Sequence, residues 1–460
     1  MDQGGSVAET PAPTSAGEGS LDAPFRHPID WQNPAYYDLD AVETEMERQF
    51  DVCHTCRRCF NLCDSFPRLF DLIDESPTGE LDSVARSEYA KVDEACTLCD
   101  MCFMTKCPYV PPHVFDIDIP HIILRYRAAK RQAGEMSFVR EQLGETDRNG
   151  KLAKPLAGLI NWATDRKNTS LRKVMELVAG IDTEVELPRY HSRTAIDRLK
   201  TPLTPDPAGP AFGQRKVAIF ATCFVDYNTP DTAVAAAKVL AKQGVQAELV
   251  YPECCGMPQL EAGDLKTVAG KAQRVAKAFA PLIAQGYEVA ALTASCGLMM
   301  KFEWPLLLPD NPEVLALSRA TRDICEYVVG LNRSFGLAPG LGPIESGIAV
   351  HHACHARAQN MGAKSAEMLR LIPGAKVDLI ERCSGHGGTF GVMKDTYPLA
   401  VKVGKSAARL AAKTGDEALC SDCPLACKHL GQLLEAESID AGQPRRSHPI
   451  EILARAYGLA

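Results

Sequence analysis

The sequence predicts an α/β protein in which an α-helical N-terminal module precedes a duplicated βαβ domain with short parallel sheets. Three observations carry this expectation. Eight cysteines fall in two tight runs before residue 108, with short helices and loops around them. After a proline-rich stretch the pattern changes to short apolar strands alternating with helices, the rhythm of a parallel sheet covered on its faces. That rhythm occurs twice, with cysteines at corresponding strand ends 131, 129 and 124 residues apart, and an internal duplication is the economical explanation. At 460 residues the chain is too long for one ordinary core, so more than one domain is expected.

Taken in order, residues 1–30 are rich in Pro, Ala, Gly, Ser and acids. They lack the basic and apolar regions of a signal peptide and are expected to be a disordered tail. Residues 31–190 form the helical module and its extension. The two cysteine runs are Cys53-x2-Cys56-x2-Cys59-x3-Cys63 and Cys96-x2-Cys99-x2-Cys102-x4-Cys107-Pro108. A 4Fe-4S cube needs four thiolates, three from a compact loop and one from a distance. In two-cluster ferredoxins the fourth cysteine of each run ligates the other cluster. The spacing therefore assigns Cys53, Cys56, Cys59 and Cys107 to one cluster, and Cys96, Cys99, Cys102 and Cys63 to the second. Zinc sites use separated pairs and close with four ligands, which fits these triads poorly. Asp64 stands where the bacterial run has Pro, and the second run has four residues before Cys107. His54 is expected to be a neighbour of the first cluster, not a ligand.

Apolar residues recur at helical intervals from 119 to 143 and from 156 to 178. In the second stretch Leu159, Trp162, Val174 and Val178 alternate with Arg166, Lys167, Arg172 and Lys173. Such a basic amphipathic helix can lie on a membrane or bind a partner; the simpler expectation is a helix packed between domains. Residues 191–214 carry four prolines and read as a linker.

The first half, 215–335, then offers a strand from Lys216 to Thr222 ending at Cys223, a helix over 231–243, and a strand from Ala247 to Tyr251 leading to Cys254-Cys255. A third strand, Val289 to Thr293, leads to Cys296. The second half, 336–460, repeats this with Gly347 to Val350 before Cys354, Val377 to Ile380 before Cys383-Ser384, and Ala418-Leu419 before Cys420-x2-Cys423. Ligands of open α/β sheets bind outside the carboxyl ends of the strands. Converging thiolates there imply a metal centre. Cys325, inside an apolar helix, is expected to be a plain buried cysteine.

These two cysteine patterns resemble the cysteine-rich CCG domain found in the heterodisulfide reductase B subunit, the C subunit of anaerobic glycerol-3-phosphate dehydrogenase and the iron–sulfur subunit of glycolate oxidase. The resemblance covers roughly residues 50 to 440 and implies an iron–sulfur cluster in each half. One set would be Cys223, Cys254, Cys255 and Cys296; the other would be Cys354, Cys383, Cys420 and Cys423. In heterodisulfide reductases a full motif holds an unusual cluster with five thiolates. Here Met299 replaces the last cysteine of the first half and Ser384 the second of the doublet in the other. Four thiolates per half suit a cubane better. His351, His352, His355, His386 and His429 are expected to tune or shuttle protons, with Cys427 as the reserve ligand. The glycine-rich run 385–391 lacks both the phosphate-loop lysine and the dinucleotide spacing; its glycines would let backbone approach a cluster closely.

The resemblance and the absence of a flavin or nicotinamide fingerprint imply an electron-transfer subunit. It would pass electrons between a flavoprotein or other redox partner and a quinone or redox protein. The alternative is a heterodisulfide-reductase-like catalytic reductase of a disulfide or small substrate; a non-redox zinc scaffold is the third. No catalytic residue is assigned. A formal charge of −8 argues against nucleic acid. Eighteen cysteines at metal-ligand spacings point to a reducing, cytoplasmic setting. No transmembrane segment is expected, and peripheral contact with the inner face of the membrane stays open.

Overall fold

The computed structural model describes residues 19–20, 22–436 and 445–459. The expected disordered tail falls for residues 1–18 and 21 outside the described residues. From residue 22 the chain lies against the helical module instead of leaving it. Phe25 N donates to Pro111 O (3.2 Å) and Ile29 N to Leu306 O (2.8 Å). Between them the Arg26 guanidinium reaches Asp100, Asp118 and Glu303 at 2.7, 2.9 and 3.2 Å. Two buried carboxylates, Asp100 and Glu303, and the half-buried Asp118 around one guanidinium tie this segment down.

Four helices build the module: α1 (Leu39–Cys56), α2 (Ser65–Asp74), α3 (Tyr89–Glu94) and α4 (Ile119–Gln132). Asp38 caps α1 by accepting from Asp40 N and Ala41 N, satisfying donors that the first turn leaves free. Val42, Met46, Gln49 and Phe50 bury one face at helical spacing. Arg57 in the left-handed region stops the helix just after Cys56.

The helices expected over 119–143 and 156–178 are each broken. The first ends before Gly134, which has φ 83°, and α5 (Phe138–Gly144) follows. After α6 (Thr146–Ala153), the second stretch is α7 (Ala157–Thr164) and α8 (Thr169–Ala179). Contrary to the expectation of a helix packed between domains, these two helices turn much of their apolar surface to solvent. The buried anchor of α8 is Arg172, whose guanidinium donates to the carbonyls of Thr164, Asp182 and Val185. With the arginine facing inward, the apolar stripe faces out.

The 191–214 stretch is packed, not a free span. Thr194 and Asp197 form a capping box on a helical turn, Ala195–Arg198. Further on, Asp206 pairs with Lys242 (2.9 Å), and Ala211 N donates to Gln243 O.

Each half is a four-stranded parallel sheet. The first has β1 (Lys216–Phe220), β2 (Gln246–Val250), β3 (Glu288–Ala291) and β4 (Thr321–Asp323) in the order β2-β1-β3-β4. The second has β5 (Gly347–His351), β6 (Lys376–Ile380), β7 (Ala418–Ser421) and β8 (Arg445–Ser447) in the order β6-β5-β7-β8. The same order twice is the structural form of the duplication. Val217 to Phe220 are all buried, as strands covered on both faces require. The strand order reverses between β1 and β3, and between β5 and β7, so each half has its crevice at the carboxyl ends of those pairs.

Candidate metal centre

The first cysteine set closes around a small cavity. Cys53 and Cys56 come from the last turn of α1, Cys59 from the turn after it, and Cys107 from the second run; Phe66, Phe70, Tyr109 and Ile117 complete the wall. Burial pushes the Cys53 thiol far up, and the neighbouring Cys107, Cys59 and Cys56 push it further.

The second set is Cys63, Cys96, Cys99 and Cys102; burial pushes the Cys63 and Cys102 thiols far up, and the neighbouring Cys99 and Cys96 push them further. Arg127 of α4 holds the loop: it donates to Cys96 O (2.6 Å) and Asp93 O (2.9 Å) while pairing with the Asp93 carboxylate. Leu98 and Asp100 take left-handed conformations, φ 48° and 62°. Non-glycine residues tolerate these only where surrounding contacts fix them. They flank Cys99, whose thiol faces Cys354 of the second half, and Cys354 in turn faces Cys383.

In the first half all four cysteines meet. Cys223 and Cys254 approach to 3.6 Å between sulfurs, and Cys255 and Cys296 to 3.2 Å. Gly256 N points at the Cys254 sulfur (3.5 Å) and Cys254 N donates to Asp147 (2.9 Å). Asp147 also accepts from the Tyr251 hydroxyl. Lys271 is buried and lies 3.6 Å from Asp147 and 3.4 Å from Glu253. Sequence reasoning missed this polar collar of Asp147, Tyr251 and Lys271. A signal for Lys271 was present: it sits on the apolar stripe of its helix with Val268, Ala272 and Val275, an unusual place for a lysine.

The second half departs from its expected set. Cys354 and Cys383 are together, and the hydrogen bond from Cys354 brings the Cys383 thiol down to about 7. Cys423 packs against the cluster of Ala294, Ala353 and Ala356, and it lies within electrostatic reach of Cys296. Cys420 does not join them. β7 runs past the expected end at Leu419, so Cys420 lies inside the strand, opposite Val350 and Ser447, fully buried in the core. Cys427 is turned to backbone, its thiol near Leu419 O and Ser447 O. Cys325 is buried as expected, donating to Asp422 at 3.5 Å.

The histidines differ in their roles. His355 bridges Ser295 Oγ (2.9 Å) and Leu98 O (3.4 Å), linking both halves to the Cys99 loop. His351 is held between Ser421 Oγ and Arg382 O, and burial brings it down to about 4. His352 faces Glu381 (3.3 Å), and His429 faces Ala400 O (3.4 Å). Burial lowers His386 to about 3; His54 contacts Arg57. Asp64 pairs with Lys402 of the second half (2.9 Å). The 385–391 run also serves this junction. A Cβ on Gly385 would collide with Ala400 O, and one on Gly387 would lie 2.8 Å from Thr97. The close approach is thus to a helix and to the second cysteine loop.

Burial and neighbouring thiols hold Cys53, Cys63 and Cys102 protonated until a cation replaces their protons. The donor chemistry of the sets at 53/56/59/107, 63/96/99/102 and 223/254/255/296 fits a thiophilic iron–sulfur group; the second half, with Cys420 in the core, does not supply four thiols. All eighteen cysteines are free, and among the described residues no helix is long and apolar enough to cross a membrane.

Matches to known proteins support an iron–sulfur oxidoreductase component of the electron-transport class. The chain carries the CCG cysteine-rich domain twice, matched over residues 217–301 and 348–429. It is similar to the C subunit of the anaerobic glycerol-3-phosphate dehydrogenase of Escherichia coli (strain K12), 28% identical over 74% of this chain and 82% of the relative. The B subunit of the fumarate reductase (CoM/CoB) of Methanothermobacter marburgensis is 27% identical over 53% of this chain and 46% of its own length. Lactate utilization protein A of Bacillus pumilus is 29% identical over 38% of this chain and 75% of its own length.

Proposed function

We propose that the chain is an iron–sulfur electron-transfer subunit linking a flavoprotein or other redox partner to a quinone or redox protein. The contact that carries this reading is Cys99 to Cys354, because it joins the N-terminal cysteine module to the CCG halves. The kinship with named subunits of dehydrogenase and reductase complexes supports a redox partner.

In this reading residues 31–190 include a two-cluster ferredoxin-like domain. Cys53, Cys56, Cys59 and Cys107 would hold one 4Fe-4S cluster, Cys96, Cys99, Cys102 and Cys63 the next, and Cys223, Cys254, Cys255 and Cys296 a third. Iron–sulfur clusters, when bound, supply one-electron chemistry at potentials set by charge, burial and hydrogen bonds to sulfur. Around the first-half set, Gly256 N and Lys271 supply the hydrogen bond and the positive charge. At the second half, Cys354 and Cys383 would form a wall beside Cys99, with Cys423 between the two halves. The alternative, a catalytic reductase of a disulfide, draws on the fumarate reductase (CoM/CoB) relative. The four-thiol first half and Ser384 in the doublet weigh against it.

The test is iron and sulfide analysis with EPR of anaerobically purified protein. About twelve irons per chain fit three four-thiol sets, and about sixteen add a cluster in the second half. About eight, with the first-half thiols alkylatable, would sink the CCG part of the reading. Cys59→Ser should remove one ferredoxin-type signal and leave the others.

A further inference from the structure

The strongest feature outside the cysteine sites is the outer surface of α7 and α8. Trp162, Leu177 and Val178 are 61%, 87% and 74% exposed. Leu159 and Trp162 share a face three residues apart, as do Val174, Leu177 and Val178 at spacings of three and four. Leu152 and Leu156, also exposed, continue the stripe backwards from Leu159. The two helices pack on each other, so the stripes belong to one neighbourhood. Contiguous apolar surface of this kind marks an interaction site.

The charges nearby say what it meets. Between residues 151 and 178 there are two acids, Asp165 and Glu176. Both are partly buried and engaged, Asp165 by Lys167 N and Glu176 by Lys394. Lys151, Lys167 and Lys173 are exposed and have no ion-pair partner among the described residues. The whole chain carries −8, yet the exposed charges of this segment, Arg166 paired with Glu435 among them, are all basic. An apolar stripe bearing Trp and Leu beside solvated lysines is the physical signature of a helix lying in a membrane interface. At 8 and 11 residues, α7 and α8 are too short to span a bilayer.

We propose that α7 and α8 dock the protein on an anionic lipid bilayer, apolar stripe in the interface and lysines at the headgroups. This deepens the reading above, since a quinone acceptor resides in that phase, while the observation itself does not depend on cluster content.

The test is co-sedimentation of the full-length, cluster-loaded protein with vesicles of phosphatidylglycerol and phosphatidylethanolamine, against phosphatidylcholine alone, with EPR on the same samples. Expected is binding to the anionic vesicles that salt weakens, with Lys→Gln at 151, 167 or 173 each costing about fivefold. Leu177→Asp with Val178→Asp should weaken binding at least about tenfold without changing the EPR spectrum. Of the three tryptophans, Trp162 alone is exposed, so a blue shift of emission on vesicles should vanish in Trp162→Phe. No binding with the clusters intact overturns the docking surface and leaves the electron-transfer reading standing. Equal binding by the double variant also overturns it. So does a dimer in sedimentation velocity that the same variant dissolves without vesicle binding, which would give the face to a second copy. Absent clusters would instead sink the earlier reading.

Discussion

Lys271 shows how one side chain can matter more than its contacts suggest. It is buried beside Asp147 and Glu253, and the Cys254 thiol favours its charged form. A fixed positive charge near a thiolate-ligated centre favours the reduced, more negative state. Lys271→Met should therefore lower the potential of the first-half centre, by on the order of 50 mV for charges at an effective dielectric near 20. An EPR titration with unchanged iron content checks this; an unmoved potential would make the lysine a packing residue. His448 offers a second residue-level test. Burial lowers it to about 3, while its Nδ1 accepts from Ile450 N to cap the last helix. Below the unfolded value near 6.5 the unfolded chain binds a proton that the folded chain refuses. This depressed histidine thus leaves stability intact above pH 6.5 and erodes it as pH falls from there toward 3, by about 1.4 kcal/mol per unit. His448→Asn keeps a capping oxygen and should flatten that part of the stability–pH curve measured by chemical denaturation.

Among elements, the six strands that lead into cysteine loops were legible because they are short apolar runs bounded by turns. β4 and β8 were not. They are three residues each, Thr-Arg-Asp and Arg-Arg-Ser, polar edge strands whose pairing depends on a neighbour already in place. Missing β8 misplaced the end of β7, and with it Cys420. The helical stretches were readable as periodicity, yet their breaks and the direction of their apolar faces depended on where Arg172 found its carbonyl partners. The Gly385 turn is the element most sensitive to one atom. It has φ 76° and sits against Ala400 O. Gly385→Ala should cost at least about 2 kcal/mol from the conformation and the clash together. The melting temperature and the reactivity of Cys383 toward a maleimide report it, and an unchanged melting curve would refute it.

Over the whole molecule, the cysteine spacings pointed to which thiols would gather within the N-terminal module and the first half, where a few loops close on themselves. They could not point to Cys99 meeting Cys354, because that contact depends on how the module docks. Arg26 is one clamp of that docking: it links the entering segment to the Cys99 loop through Asp100 and to the first half through Glu303. Arg26→Met would strand these carboxylates in a buried site, a change worth about 3–5 kcal/mol. Limited proteolysis should then cleave near residues 22–30 much faster, and equal rates would count against the clamp. The Cys99–Cys354 contact also bears on biosynthesis. The two residues are 255 positions apart (354 − 99), and at about 5–20 residues per second the ribosome needs roughly 13–50 s to bring the second after the first. Through that interval the nascent Cys99 loop lacks its final neighbour and stands open to oxidation. Completion of the wall around Cys99 is thus a late event in the life of each molecule, placed after synthesis of most of the chain.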